Sequence, residues 1–237
     1  MQPNGFLSNQ VARTSALPAA DAYIFDIDGT LLVTKDLVHW NALHQAIVEA
    51  YAVDTTIEGI PYHGKTDLSI LRAAVGRAGV SDSDFEGKLP VALDVVCREV
   101  EANHLQLAPQ VCPGIVQLLE SLKTNQKVIG VASGNLETVG WHKIEAAGLR
   151  DFFSFGFFSD QHESRTQIFA NAVKHVNNQL GSAAGICFIG DTPSDVEAAK
   201  QVGAQILAVA SGTFSLEELA AFSPDLCVSH CGEFFPE

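Results

Sequence analysis

Short, almost entirely apolar runs recur along the chain, and segments with helical spacing separate them. The runs lie at 23–27, 127–132, 186–190 and 205–210. Because they do not alternate polar with apolar residues, they predict strands that are buried on both faces. Segments 136–147 and 194–202 follow two of these runs directly and stop at a glycine, as helices often do. The alternation predicts a parallel sheet covered by helices, with ligands at the carboxyl ends of its strands.

The segment between the first two predicted strands breaks this alternation. It contains no convincing strand and three stretches with helical spacing: Trp40–Ala50, Leu68–Ala78 and Phe85–Leu105. An inserted helical block of this kind predicts a cap domain that lies over the strand ends. The predicted fold class is therefore α/β, a Rossmann-like parallel sheet core with an inserted all-helical cap. The predicted divisions are a polar N-terminal extension (1–20), the core (21–35 and 110–237) and the cap (36–109).

The composition limits which binding partners and which cellular compartment are expected for the protein. The 237 residues include 28 acidic and 14 basic side chains, a net charge of -14. This charge repels phosphate backbones and anionic membrane surfaces, so neither nucleic acid nor membrane is expected as a partner. Five cysteines at irregular spacing favour a reducing, cytoplasmic setting over a disulfide framework. No run approaches the ~18 apolar residues of a membrane span, and the sequence leaves a monomer and a homodimer equally open.

Two carboxylates stand two residues apart where the first predicted strand ends. Asp26 and Asp28 precede Gly29 and Thr30. On an unbroken strand the two side chains would point to opposite faces, whereas a turn at Gly29 allows both to reach one pocket. One carboxylate can then attack a substrate while the other transfers a proton. Taken alone, the motif is equally consistent with an acidic turn that has no catalytic task.

Two further predicted strands also end in polar motifs. Ser133, Gly134 and Asn135 place a hydroxyl and backbone N–H groups at a helix N-terminus, which suits an anion as well as an ordinary helix cap. Asp191 and Asp195 stand four residues apart in Gly-Asp-Thr-Pro-Ser-Asp, where a strand gives way to a helix. Hard oxygen ligands of this kind suit Mg²⁺.

In their order and spacing, the three motifs resemble the successive motifs of the haloacid dehalogenase superfamily of phosphatases. The resemblance extends from about residue 22 to 210 and includes Cys112-Pro-Gly-Ile115, which is similar to a Pro-Gly of the family core. The cap position looks most like that of phosphoglycolate-phosphatase-like members. The resemblance implies an Mg²⁺-dependent phosphatase that hydrolyses a small phosphorylated metabolite through an aspartyl-phosphate intermediate, with the cap closing over the substrate.

The resemblance also implies a role for each motif residue. Asp26 would be the nucleophile, Asp28 the general acid and base, and Ser133 a ligand of a phosphoryl oxygen. Arg165 stands where the family commonly has Lys and would bridge the nucleophile and the phosphoryl group, with Lys143 as a second candidate. The implied substrate-binding residues are Thr30, Gly134, Asn135 and Lys65. The implied Mg²⁺ ligands are Asp26, the backbone carbonyl of Asp28, Asp191 and Asp195, the last directly or through water.

Other interpretations stay open at this point. A sugar phosphomutase of the same family would share the motifs, and a catalytically silent binding protein is a third possibility. Residues 59–66 match the Walker A pattern of nucleotide-binding proteins, but that loop needs a buried strand directly before it, and the preceding residues are polar. Cys227, His230 and Cys231 lack a second pair of ligands and make a poor zinc site.

Overall fold

A six-stranded sheet lies at the centre of the described residues, 16–235, in a computed structural model of the chain. The described residues form eight strands, of which β2 and β3 make a separate pair: β1 (Ala22–Phe25), β2 (Leu32–Val33), β3 (Gln110–Val111), β4 (Val128–Ala132), β5 (Phe155–Phe157), β6 (Ile186–Gly190), β7 (Gln205–Val209) and β8 (Leu226–Val228). The sheet order is β5-β4-β1-β6-β7-β8, and every pairing in it is parallel. Strand β1 is therefore central, with Phe25 opposite Val131 on one side and Ile189 on the other.

Helices cover both faces of this sheet and form the block between β2 and β3. They are α1 (Val38–Ala46), α2 (Asp67–Arg77), α3 (Asp82–Asn103), α4 (Ile115–Thr124), α5 (Glu137–Ala146), α6 (Arg165–Leu180), α7 (Pro193–Gln201) and α8 (Leu216–Ala220). Alternate residues of β1 enter separate cores: Phe25 packs in the cluster with α4, and Ile24 packs with α6 and α7. Because both faces of the strand are covered, its sequence is apolar without alternation.

The helical block has an apolar core of its own. Helices α1 to α3 and a single π-helical turn at Ile47–Tyr51 bury one cluster, which extends onto Leu136 and Val139 of the sheet-covering part. At the root of the block, β2 and β3 pair antiparallel, with Leu32 opposite Val111. The two segments that connect the helical block to the rest of the chain therefore lie side by side.

The predicted fold class is confirmed, with small differences in the element ends. Strand β1 stops at Phe25, two residues earlier than the apolar run, because the chain turns at Ile27, whose carbonyl accepts from the amides of the following turn. The aromatic run 152–158 forms only the short strand β5 and a preceding 3-10 turn, Arg150–Phe152. The division into core and cap at residues 36 and 109 stays a prediction.

Two other expectations can be compared with the described residues. No strand lies between Tyr51 and Thr66, a stretch that the structure describes throughout, so the Walker A match is not part of a phosphate-binding loop. Residues 1–15 of the predicted N-terminal extension lie outside the described residues. Its last part contacts the core, because the Tyr23 hydroxyl donates to the Pro18 carbonyl at 2.7 Å. Among the described helices, none combines the length and apolar character needed to cross a bilayer.

Candidate active site

A tight turn after β1 brings Asp26 and Asp28 to the same cavity. The Asp26 amide still donates to the Ile189 carbonyl (2.9 Å), which continues the sheet by one bond. The Ile27 carbonyl then accepts from the amides of residues 30–32, and Gly29 adopts a left-handed φ of 84°. A side chain at Gly29 would be strained by this φ, and its Cβ would lie 2.2 Å from an Asp191 carboxylate oxygen. Only glycine fits both requirements.

Three buried carboxylates and one guanidinium form the centre of the site. One oxygen from each of Asp26, Asp191 and Asp195 lies within 4.8 Å of the others. Arg165, the first residue of α6, donates from Nη1 to Asp26 Oδ2 at 3.0 Å and also pairs with Asp195 Oδ1. The guanidinium carries one positive charge among three carboxylates, so the cluster retains a negative excess that a bound cation would offset.

The oxygens of the three carboxylates differ in their existing partners. Asp195 has both oxygens engaged, since Oδ2 also accepts from the amide (3.0 Å) and hydroxyl (2.7 Å) of Thr192 at the start of α7. Asp191 Oδ1 accepts from the Thr30 hydroxyl at 3.0 Å. Asp26 Oδ1 is buried and has no hydrogen-bond partner. A buried charged oxygen without a partner is costly, which is the condition expected of an atom reserved for a ligand.

Burial and mutual repulsion shift the protonation of the cluster. Burial raises the pKa of Asp26 to about 6, with Arg165 opposing the rise and Asp195 adding to it. Burial and the neighbouring Asp195 and Asp26 carboxylates raise the pKa of Asp191 well above its usual range. Burial alone would lower the pKa of Arg165, but Asp195 and Asp26 raise it, so the guanidinium stays charged. The upward pKa shifts of Asp26 and Asp191 show that the single charge of Arg165 does not balance the three carboxylates.

Asp28 has a different environment from Asp26. Its side chain is 43% exposed and both of its oxygens accept from Lys143 Nζ, at 2.9 and 2.8 Å. Asn135 Nδ2 donates to Asp28 Oδ2 at 2.8 Å and to the Ser133 hydroxyl at 2.9 Å. Partial burial would raise the pKa of Asp28, but the Lys143 charge and the hydrogen bonds from Lys143 and Asn135 outweigh this effect and lower the pKa. The pKa values of the two carboxylates in the first motif are thus shifted in opposite directions, upward for Asp26 and downward for Asp28.

A cavity of about 480 Å³ opens above these groups, between the strand ends and the helical block. From the core, most predicted site residues line it: Asp26, Asp28, Ser133, Gly134, Asn135, Lys143, Arg165 and Asp191. From the helical block, Lys65 lines it together with an aromatic and aliphatic wall that includes Trp40, Tyr62 and Ile57. The cavity therefore places the aspartate cluster of the core opposite a surface that combines aromatic and aliphatic side chains with Lys35, His63 and Lys65.

The residues present fit a divalent cation with oxygen ligands. The partnerless Asp26 Oδ1, the second oxygen of Asp191 and the negative excess of the cluster all favour Mg²⁺, which takes oxygen ligands and retains several waters. Because Asp195 is engaged with Arg165 and Thr192, its contact with a cation would be through water or in exchange for one of these bonds. The Asp28 carboxylate faces Lys143, which leaves only its backbone carbonyl for the predicted metal contact.

Comparison with known proteins agrees with this geometry. Residues 23–209 match the family described as haloacid dehalogenase-like hydrolase. The chain belongs to this family. It is 30% identical to a phosphoglycolate phosphatase of Synechococcus elongatus, over 86% of the chain and 90% of that protein. It is 27% identical to a probable phosphatase, IndB, of Dickeya dadantii, over 89% of the chain and 90% of that protein.

Solved structures show the same fold. CbbY from Rhodobacter sphaeroides, crystallised in complex with phosphate, superposes with a TM-score of 0.66 over 92% of this chain and 97% of its own, at 18% identity. The predicted membership of the haloacid dehalogenase family is confirmed, and with it the prediction that the chain is a hydrolytic enzyme.

The family motifs converge as expected, with one difference in placement. Thr30, predicted to bind substrate, is fully buried, does not line the cavity and donates to Asp191 instead. Lys143, the second candidate for the cation beside the nucleophile, contacts Asp28, whereas Arg165 contacts Asp26. Thr30 therefore supports a carboxylate from within the fold, whereas Lys143 and Arg165 both line the cavity.

Some residues of the site were missed by the sequence interpretation. Gly212, in the loop after β7, would place a Cβ 1.9 Å from Asp191 Oδ2, and the Ser211 hydroxyl donates to the Gly29 carbonyl at 2.7 Å. This loop follows a predicted strand at its carboxyl end, so the strand position was a usable signal. His39 and Asp67 also reach the site from the helical block, and of the two only Asp67 has a local signal, since it directly follows Gly64-Lys65-Thr66.

The cysteine and histidine cluster near the C-terminus does not form a metal site. Among the described residues, the one group of ligating side chains close enough to share an ion is the aspartate cluster. Cys231 is buried in the core that contains α4, whereas Cys227 lies at the edge of the opposite core.

Proposed function

We propose that this protein is an Mg²⁺-dependent phosphatase that hydrolyses a small phosphorylated metabolite by covalent catalysis at Asp26. The observation that carries the proposal is the position of Asp26: it is buried beside Arg165, has a free carboxylate oxygen and lies in a cluster of three aspartates at one end of the cavity. The names of the two curated relatives, both phosphatases, support the same reaction class.

The residues divide the reaction into two displacements. In the first, an Asp26 oxygen bonds to phosphorus, the bond from phosphorus to the alcohol oxygen breaks, and a proton is supplied to the leaving alcohol by Asp28. In the second, water attacks phosphorus, gives its proton to Asp28 and releases phosphate and the Asp26 carboxylate. When bound, Mg²⁺ supplies charge neutralisation between the carboxylate nucleophile and the phosphate dianion.

The other polar groups at this end bind the phosphoryl group. Arg165 contributes a fixed positive charge next to the nucleophile, and a guanidinium can donate to two acceptors at once. The Ser133 hydroxyl and the Gly134 amide provide neutral donors in the loop before α5, whereas the next three amides donate within the protein. Together these groups stabilise the negative charge that spreads over the phosphoryl oxygens during transfer.

The cap side of the cavity would select the alcohol. Lys65 is exposed and lines the cavity, so it is placed to meet an anionic group on a substrate such as phosphoglycolate. The aromatic surface of Trp40 and Tyr62 would instead suit a substrate with an apolar or aromatic alcohol. A screen should therefore include phosphoglycolate, other small acid phosphates and phosphates with aromatic alcohols, because the two parts of the wall favour different substrates.

The test is release of inorganic phosphate from p-nitrophenyl phosphate and from this set, with Mg²⁺ and with a chelator. We expect activity that depends on Mg²⁺ and is lost in Asp26→Asn, while Asp151→Asn, which removes an exposed carboxylate of the same core, keeps the wild-type rate. Equal rates for Asp26→Asn and wild type would refute the proposal. Product analysis on a sugar phosphate separates the phosphomutase alternative, in which phosphate moves to a second hydroxyl instead of water.

A further inference from the structure

Lys143 is a buried cation to which the family resemblance assigns no settled task. It lies on α5 and is only 3% exposed. Burying a lysine is unfavourable unless its charge and its donors are matched. Here the ammonium contacts both oxygens of Asp28, Asn135 Oδ1 at 3.0 Å and His39 Nδ1 at 3.2 Å. All of its donors are therefore directed at groups of the site.

The contact with His39 continues the network into the helical block. An ammonium can only donate and a carboxylate only accepts, so His39 must accept from Lys143 at Nδ1 and donate from Nε2 to Asp67 Oδ2, 3.1 Å away. The same Asp67 oxygen accepts from the Leu136 amide at 2.9 Å, and the Asp67 amide donates to the Gly134 carbonyl at 2.8 Å. The network thus joins α1 and α2 to the loop that precedes α5.

The contacts leave Asp28 with one preferred open acceptor position. A carboxylate has about four acceptor sites, two on each oxygen. Lys143 and Asn135 both donate to Oδ2, whereas Lys143 alone donates to Oδ1. The exposed part of the side chain lines the cavity. Oδ1 is therefore the oxygen with a site available for an additional proton donor.

We propose that Lys143 is a positioning residue that fixes Asp28 for attack by water on the aspartyl-phosphate, and that His39 and Asp67 complete this arrangement when the cap is seated on the core. The inference rests on the proposed function. In the step concerned, the water oxygen bonds to phosphorus, the bond from phosphorus to Asp26 breaks, and its electron pair returns to the Asp26 carboxylate. The proton leaving water passes to Asp28 Oδ1, and Lys143 keeps its own proton.

Lys143→Met tests this assignment because the two displacements affect different kinetic constants. With p-nitrophenyl phosphate, whose nitrophenolate leaves without a proton from Asp28, kcat/KM reports the steps up to formation of the phosphoenzyme, whereas kcat also includes its hydrolysis. We expect kcat to fall by about 10²-fold, the range of general base catalysis, with KM falling in parallel and kcat/KM nearly unchanged. Acid-quenched samples should then contain accumulated phosphoenzyme. Lys143→Arg, which keeps the cation, should restore part of kcat.

The matched control is Lys174→Met, which removes an exposed lysine from α6 and should leave both constants unchanged. Equal losses in kcat and kcat/KM for Lys143→Met, without accumulated phosphoenzyme, would show a merely structural lysine and overturn the proposal, as would an unchanged kcat. A wild-type protein that releases no phosphate with Mg²⁺ would instead contradict the proposed function, and this inference with it.

A second variant keeps the test decisive if Lys143→Met does not fold. His39→Gln leaves the ion pair between Lys143 and Asp28 in place and disturbs only the cap-side acceptor. We expect a smaller loss in kcat, several-fold, again with kcat/KM nearly unchanged and with phosphoenzyme accumulated. A His39→Gln protein in which kcat is unchanged, or in which both constants fall together, would overturn the link between the cap and Asp28.

Discussion

Asp26→Asn should make the metal-free protein more stable while it abolishes activity. Asp26 is 4% exposed, and its pKa is raised to about 6 by burial and by Asp195 despite the opposing Arg165. A carboxyl whose pKa is higher in the folded state than in the unfolded state binds more protons when folded. Its contribution to stability is therefore complete below the unfolded pKa, near 3.8, and is lost as the pH rises through about 6.

The size of this loss follows from the shift itself. A change from 3.8 to about 6 corresponds to about 3 kcal/mol at pH 7.5 and to about half of that at pH 5. Asparagine has nearly the same shape but no charge, and Arg165 keeps Asp195 as its partner. Asp26→Asn should therefore gain about 3 kcal/mol at pH 7.5, which is roughly 6 to 12 °C in Tm for a chain of this size.

The assay is thermal or denaturant unfolding in a chelator at pH 5 and pH 7.5, repeated with saturating Mg²⁺. We expect the advantage of Asp26→Asn to grow between the two pH values and to shrink when Mg²⁺ is added, since the cation stabilises the ionised wild-type cluster. Asp151→Asn serves as the control and should show neither trend. An Asp26→Asn protein less stable than wild type in the chelator, or a difference that does not change with pH, would refute this reasoning.

Three further substitutions test the remaining parts of the site. Gly212→Ala would put a Cβ 1.9 Å from Asp191 Oδ2 and so displace a proposed Mg²⁺ ligand. The Mg²⁺ concentration for half-maximal activity should therefore rise by about 10- to 100-fold. An unchanged Mg²⁺ titration would contradict the assignment of Asp191 as a ligand. Gly134→Ala would place a Cβ 2.4 Å from the Lys65 carbonyl and so displace the cap. We expect kcat/KM to fall by about 10²-fold. Wild-type kinetics would show that the close approach of Gly134 to Lys65 is unimportant for activity. Arg165→Met leaves buried carboxylates unpaired and should lower the unfolding free energy by about 3 to 5 kcal/mol. Arg165→Lys keeps a cation and should retain most of the wild-type stability. Equal stability for the two variants would exclude the ion pair as the cause.

The sequence was sufficient to predict those parts of the site that lie where strands end. Asp26, Ser133 and Asp191 each follow an apolar run, and the carboxyl ends of parallel strands meet at one edge, so the order of strands and motifs alone predicts their convergence. The assignment of Arg165 rested on the resemblance, which implies a basic residue at this place, and its contact with Asp26 from the first turn of α6 agrees with that expectation. Local pattern is informative here because short loops leave little freedom for these side chains.

Contacts between the helical block and the core could not be anticipated in the same way. Lys143 and His39 are 104 residues apart, and their meeting depends on how the cap docks on α5, which no periodicity records. Thr30 was misplaced for a related reason: the turn at Gly29 directs its hydroxyl inward to Asp191, 161 residues away. In both cases the partner is set by tertiary packing rather than by the spacing within a motif.

The most direct test of the account is to trap the covalent intermediate and locate it. A phosphate monoester labelled in its phosphoryl group would be mixed with the enzyme and Mg²⁺, the reaction quenched in acid within its first turnover, and the label mapped by peptide mass spectrometry. The account predicts phosphate on the side chain of Asp26, and none on the Asp26→Asn protein. Label on another residue, or turnover of substrate with no labelled enzyme at any quench time, would contradict it.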